Sequence, residues 1–171
     1  MKKLLLALVV ALVLVAGQVY GAVGSISISG DDLIWSKPLN RSVFRVITVI
    51  FTASSTDGSV PDLTLNADTA GLKNGSPLGW YGYAVIIDCN HAGTEPTENS
   101  ELYILNAGGG DVLGGQGVDQ VDNTAERFVY FHNGSVPFKQ PMVGTWTVRV
   151  TQQAAAVNSA TGTLYVILVS E

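Results

Sequence analysis

The sequence predicts an all-β chain: an antiparallel β-sandwich or jelly roll of about 7–9 strands behind an N-terminal hydrophobic signal helix. Three features carry that reading. No 3.6-residue apolar pattern of useful length occurs after Ala22. Short runs rich in Val, Ile, Thr, Tyr and Phe are instead separated by Gly, Asn, Asp, Ser and Pro. The 171 residues also include 19 glycines without a fixed period, the mark of many turns rather than of a collagen-like repeat.

Taken in order, the chain opens on Met1-Lys2-Lys3 and an apolar run from Leu4 to Ala16 made only of Leu, Val and Ala. A positive start, a short apolar stretch and small residues before a cleavage point are the three parts of a secretory signal. Val19 and Gly21 fill the two positions that the peptidase reads, so residues 1–21 are expected to be removed after Gly21. As a helix the apolar run spans only ~20–24 Å, short of a ~30 Å hydrocarbon core. The expected location is secreted, periplasmic or cell-envelope, with membrane contact only if residues 1–21 are retained. No Cys follows the run, which argues against a bacterial lipid anchor.

Residues 22–171 read as one domain, since no linker, charge block or internal repeat divides them. Ser25-Ile26-Ser27-Ile28-Ser29 alternates strictly, so one face is wet. Val43 to Thr52 is apolar at both parities apart from Arg45 and Thr48, the pattern of a central strand. Trp80–Asp88, Glu101–Asn106, Glu126–His132, Thr145–Thr151 and Thr163–Val169 follow, with Leu33–Trp35 and Val60–Leu65 as shorter candidates. In Thr145–Thr151 the alternation puts Trp146, Val148 and Val150 on the buried side. Asn133-Gly134 after His132 is a hairpin signal. Two connections, 54–79 and 107–125, are long enough that they should bind something or pack against a neighbour.

Composition excludes several functions. A net charge of −5 argues against a nucleic-acid groove, which needs a basic face. One cysteine cannot make an internal disulfide. With 47% hydrophobic and 13% charged residues the chain is not disordered. Catalysis needs a positioned nucleophile or acid–base pair. His91 and His132, the two histidines, sit on different segments, so no catalytic residue and no enzyme activity are assigned.

Three weaker constellations remain. Asp111, Asp119 and Asp122 lie in a glycine-rich loop of the kind that supplies oxygens to calcium, the one candidate cofactor. The alternative is that these carboxylates cap turns. Trp80, Tyr81 and Tyr83 could form a platform on which a sugar stacks, although alternate residues of a strand belong to the core. Cys89 could form an intermolecular disulfide after secretion, or sit as a small thiol at a strand end.

The second half resembles small, mostly uncharacterised proteins encoded among the structural genes of tailed phages and prophages. The stretches that carry the likeness are 52–61 (Thr52-Ala53-Ser54 to Pro61), Glu95-Pro96-Thr97-Glu98-Asn99, Asp111-Val112-Leu113-Gly114, Val143-Gly144-Thr145-Trp146 and Val157-Asn158-Ser159 to Thr163. Their order and spacing agree over about residues 44–168. The resemblance implies a virion-associated β-sandwich with a packing role and supplies no catalytic residues. The leader departs from that pattern and fits a domesticated or membrane-associated relative. A fainter likeness joins Gly144-Thr145-Trp146 and Gly162-Thr163-Leu164 to the closing strands of jelly-roll accessory domains on secreted proteases. The expectation is therefore a non-enzymatic structural or assembly protein, a homo-oligomer or one with protein partners. The alternative is a carbohydrate-binding or calcium-dependent adhesion module using loops 54–79 and 107–125.

Overall fold

The computed structural model describes residues 23–36, 41–89, 94–96, 100–121, 125–133, 136–152 and 159–171. The leader, Asp122 and His91 lie outside these residues. Within them the protein is all-β, built from antiparallel strands. In chain order these are β1 (Ser25–Ser36), β2 (Arg41–Thr52), β3 (Leu63–Leu65), β4 (Tyr81–Asp88), β5 (Glu101–Leu105) and β6 (Arg127–Tyr130). Then come β7 (His132–Asn133), β8 (Val136–Pro137), β9 (Gln140–Pro141), β10 (Trp146–Thr151) and β11 (Thr161–Val169).

The larger sheet runs β1-β2-β11-β4-β6, with β9 also pairing β4, and the smaller runs β3-β10-β5. Strands β7 and β8 make the hairpin signalled by Asn133-Gly134. The expected Ser25–Ser29 and Leu33–Trp35 segments are one strand, because Gly30, Asp31 and Asp32 continue the pairing with β2 through a bulge at Ser29. Strands β8 and β9 were not expected; at two residues each they are too short to show a periodicity.

Both sheets feed one hydrophobic core. Ile47, Val49 and Phe51 of β2, Leu164, Val166 and Leu168 of β11, and Val85 and Ile87 of β4 line the inner side of the larger sheet. Trp146, Val148 and Val150 of β10 line the smaller one, on the face their alternation predicts. The sheets meet closely at Gly82, where an added Cβ would lie 2.7 Å from the Phe131 ring and 2.8 Å from that of Trp146. Those two rings stack with centroids 5.3 Å apart.

The two long connections are used for packing. Arg45, fully buried, donates through Nε and Nη2 to the two carboxylate oxygens of Asp31 at 2.8 and 2.9 Å. Its remaining donors reach the carbonyls of Ser76 and Gly75 at 2.9 and 2.7 Å. Asp31 Oδ2 in turn accepts the backbone N–H groups of Lys73 and Asn74. A charge pair out of water is stable only when its other hydrogen-bonding capacity is met, and segment 73–76 meets it. Burial pushes the Asp31 carboxyl upward; Arg45 and the two backbone donors outweigh that and hold it below the ordinary value of 3.8.

The second connection covers the free edge of β5. Leu102 N–H donates to Gly117 C=O, Val112 N–H to Ile104 C=O and Val121 N–H to Ser100 C=O. Val112, Leu113 and Val121 fill the core from this segment. At Gly117 the backbone passes so close to the Leu102 carbonyl that no side chain fits.

Candidate interaction face

An antiparallel sheet with one face in the core normally turns polar side chains to water on the other. The smaller sheet follows that rule. Its outer face carries Thr64, Thr147, Thr151, Glu101, Tyr103 and Arg149, with the half-buried Leu105 opposite Thr147. Arg149 pairs with Asp62 at 2.6 Å on the surface, and Tyr103 donates its hydroxyl to Glu101 at 2.8 Å. The hydrogen bond to Glu101 raises the Tyr103 pKa, and that to Arg149 lowers the Asp62 pKa.

The larger sheet does not follow it. Main-chain register stacks its outward side chains in rungs across the strands. One rung is Ile34, Phe44, Val169 and Tyr81. The next is Asp32, Val46, Ile167, Ala84 and Tyr130. A third is Gly30, Thr48, Tyr165, Ile86 and Phe128. A fourth is Ser27, Ile50, Thr163 and Asp88, and the register continues beyond these four to Ser25, Thr52 and Thr161 at one end and to the Ser36–Arg41 pair at the other. Ile34, Phe44, Ile50, Phe128 and Tyr130 are exposed. No Lys or Arg stands on any of these four rungs, and the two carboxylates, Asp32 and Asp88, lie at their rim.

Aromatic rings join across the face. Tyr83 meets Tyr130 edge-on at 5.5 Å and lies 6.5 Å from Phe44, while Phe128 contacts Tyr130 at 4.9 Å. A bulge in β4 brings Tyr83 there: β11 pairs Ile167 with Ala84 and Leu168 with Gly82, leaving Tyr83 as the extra residue. Strands 4.8 Å apart and rungs about 6.7 Å apart make a patch of roughly 20 by 20 Å. Apolar patches of that size mark contact sites on otherwise soluble chains.

The residues singled out by sequence fall elsewhere or into other roles. Trp80 packs against the core, Tyr81 donates its hydroxyl to Glu171 at 3.0 Å, and only Tyr83 has its ring in the aromatic contacts of the outer face. The three do not form one platform. Asp111 accepts the backbone N–H groups of Ile104, Leu113 and Gly115, so its carboxylate is occupied in shaping its own loop. Asp119 sits in a turn at φ 55°, and Asp122 lies outside the described residues. Among the described residues no group of three or more His, Cys, Asp or Glu could hold a metal ion. Cys89 is 4% exposed, and a Cβ added to Gly162 would lie 2.5 Å from its sulfur; the thiol is not presented to another chain.

The outer face was not recognised from sequence. Val43 to Thr52, apolar at both parities, reads equally as a strand covered on two sides or as one whose second side awaits a partner. No known protein family, curated protein or solved structure matches this chain.

Proposed function

We propose that the protein is a non-enzymatic β-sandwich, secreted or envelope-located, that works by assembling with copies of itself through the outer face of its larger sheet. The single observation that carries this reading is the contrast between that face and the polar outer face of the smaller sheet. The four rungs around Tyr130 carry no basic residue and have carboxylates only at their rim, so they offer little for a charged partner to complement. A second copy presents the same aromatic centre, with its carboxylates likewise at the rim. Two such faces together would bury on the order of 1,000 Å², the lower end of a specific interface. The phage-protein resemblance supports the same role, a particle-type packing component adapted to the envelope, on motif order alone.

The test is the molar mass of the purified protein by light scattering across concentration, for the native chain and for Phe128→Lys. Phe128 is 48% exposed at the end of the patch, so a lysine there should leave the circular dichroism spectrum unchanged and shift the mass toward monomer. Thr64→Lys on the polar face should leave the native mass unchanged. A native chain that stays monomeric at every concentration overturns the proposal.

A further inference from the structure

The edges of the two sheets are not equally protected. Strand β5 is covered by segment 106–121, and the Thr64 carbonyl of β3 accepts the Thr69 hydroxyl at 2.8 Å. Strand β6 is only four residues long. Strand β1 is a twelve-residue edge, covered over only part of its length. Near Ile28 the segment at Gly71 lies against it, and the Asp31 carbonyl accepts the Asn74 side-chain amide at 2.6 Å. No hydrogen bond from the 71–79 segment reaches β1 beyond Asp31 among the described residues.

The direction of the open groups follows from register. Val43 C=O accepts Ser170 N–H from the β11 side, so Val43, Arg45 and Ile47 turn their main chains to β11, and Phe44, Val46 and Thr48 turn theirs to β1. Asp32 and Ile34, opposite Val46 and Phe44, therefore bond inward to β2. Leu33 turns its N–H and C=O to the free edge; the register shift between Ile34 and Trp35 comes from an extra residue in β2, Val43, so alternation along β1 itself carries Trp35 to the same side. Leu33, Ile34 and Trp35 are 42%, 50% and 57% exposed, an unusual run of large apolar side chains on a strand edge.

We propose that this segment, residues 33–35 of β1, pairs antiparallel with the same segment of a second copy about a two-fold axis at Ile34. The inference rests on the assembly reading above and adds to the face contact a second one between copies, at the sheet edge. The register is selected by the groups available. With Ile34 opposite Ile34 of the second copy, Leu33 and Trp35 face each other twice and exchange four main-chain hydrogen bonds, using donors and acceptors that take no partner among the described residues. Asp32 then lies opposite Ser36, whose hydroxyl is a donor. Centring the pair on Leu33 would demand the Asp31 carbonyl already held by Asn74, and centring it on Asp32 would set like charges opposite. The Ile34 register joins the two larger sheets into one and makes their apolar outer faces continuous.

Cysteine cross-linking tests the register. In Ile34→Cys the two introduced thiols lie across a non-hydrogen-bonded pair, with Cα atoms about 4.5 Å apart, within disulfide reach. Mild oxidation should convert most of the protein to a covalent dimer, whereas Asp32→Cys should give little. Leu33→Pro removes a donor that faces solvent in the monomer, a substitution edge strands tolerate. It should keep the native melting temperature within a few degrees and weaken dimerisation at least about tenfold, since two inter-chain hydrogen bonds disappear. Absence of the Ile34→Cys dimer, or an unchanged mass for Leu33→Pro, overturns the edge pairing. If mass then still falls in Phe128→Lys, the face reading survives without it; if the native chain is monomeric, both fail.

Discussion

Among the described residues the larger and the smaller sheet each carry an arginine–aspartate pair, and these two pairs lie on opposite sides of their sheets. In the larger sheet Arg45 and Asp31 are 0% exposed on the inner side, and the outer side is apolar. In the smaller sheet Arg149 and Asp62 are 47% and 39% exposed on the outer side, and the inner side is Trp146, Val148 and Val150. The smaller sheet is a sheet at rest with water. The larger one holds this pair inside, where it clamps segment 73–76, and turns Ile34, Phe44, Ile50, Phe128 and Tyr130 to the outside. The same pair of side chains is thus placed on opposite sides of the two sheets, and that contrast supports the proposal that the outer face of the larger sheet is a contact surface.

The largest expected effect comes from breaking the inner pair. Asp31→Ala leaves a buried guanidinium without its carboxylate and frees two backbone donors of the 73–76 segment. Removing one partner of a buried pair costs about 3–5 kcal/mol, read as a fall in the denaturant midpoint. A loss below 1 kcal/mol would show that Arg45 reaches water and that the clamp is incidental. Gly82→Val tests the meeting point of the sheets. Its side chain would press on the Phe131 and Trp146 rings, and overpacking of this kind costs about 1–3 kcal/mol.

Acid should also separate the two native pairs from each other. Because Asp31 has its pKa lowered on folding, its contribution is present above the unfolded value of 3.8 and is lost as pH falls through the lower folded value. Asp31→Asn should therefore flatten the acid limb of the stability–pH curve below about pH 4. Asp62 shifts in the same direction through its hydrogen bond to Arg149, but the pair is screened by solvent. Asp62→Asn should change stability by about 0–1 kcal/mol, the smallest effect, and diminish further with added salt. Equal acid limbs for the two variants would remove the contrast between the pairs.

Much of the fold was legible along the chain. Ser25–Ser29 and Thr145–Thr151 alternate because one side of each strand is wet, and their buried residues are those the alternation marks. The two long connections were expected to bind or to pack, and they pack. The chemistry of their residues was less legible. Asp111 in a glycine-rich loop reads either as a cation ligand or as a turn cap; it accepts the N–H groups of Leu113 and Gly115 in its own turn and of Ile104 in β5. Sequence shows that a carboxylate is present and not which donors reach it. Trp80, Tyr81 and Tyr83 read either as a stacking platform or as divided between surface and core; Trp80 packs against the core, while Tyr81 and, through the bulge in β4, Tyr83 stand on the outer face.

By itself the sequence determined the β class, the positions of the longer strands and the identity of the core residues of β10, because a two-residue period and turn chemistry are local properties of the chain. Only the tertiary structure decided that Arg45 finds Asp31, that segment 106–121 covers β5, and that Leu33 to Trp35 and the rungs around Tyr130 stay open. Those outcomes depend on which strands become neighbours and how far each loop reaches. An apolar residue carries the same signal whether its cover is another part of its own chain or a partner, and strand order alone distinguishes the two.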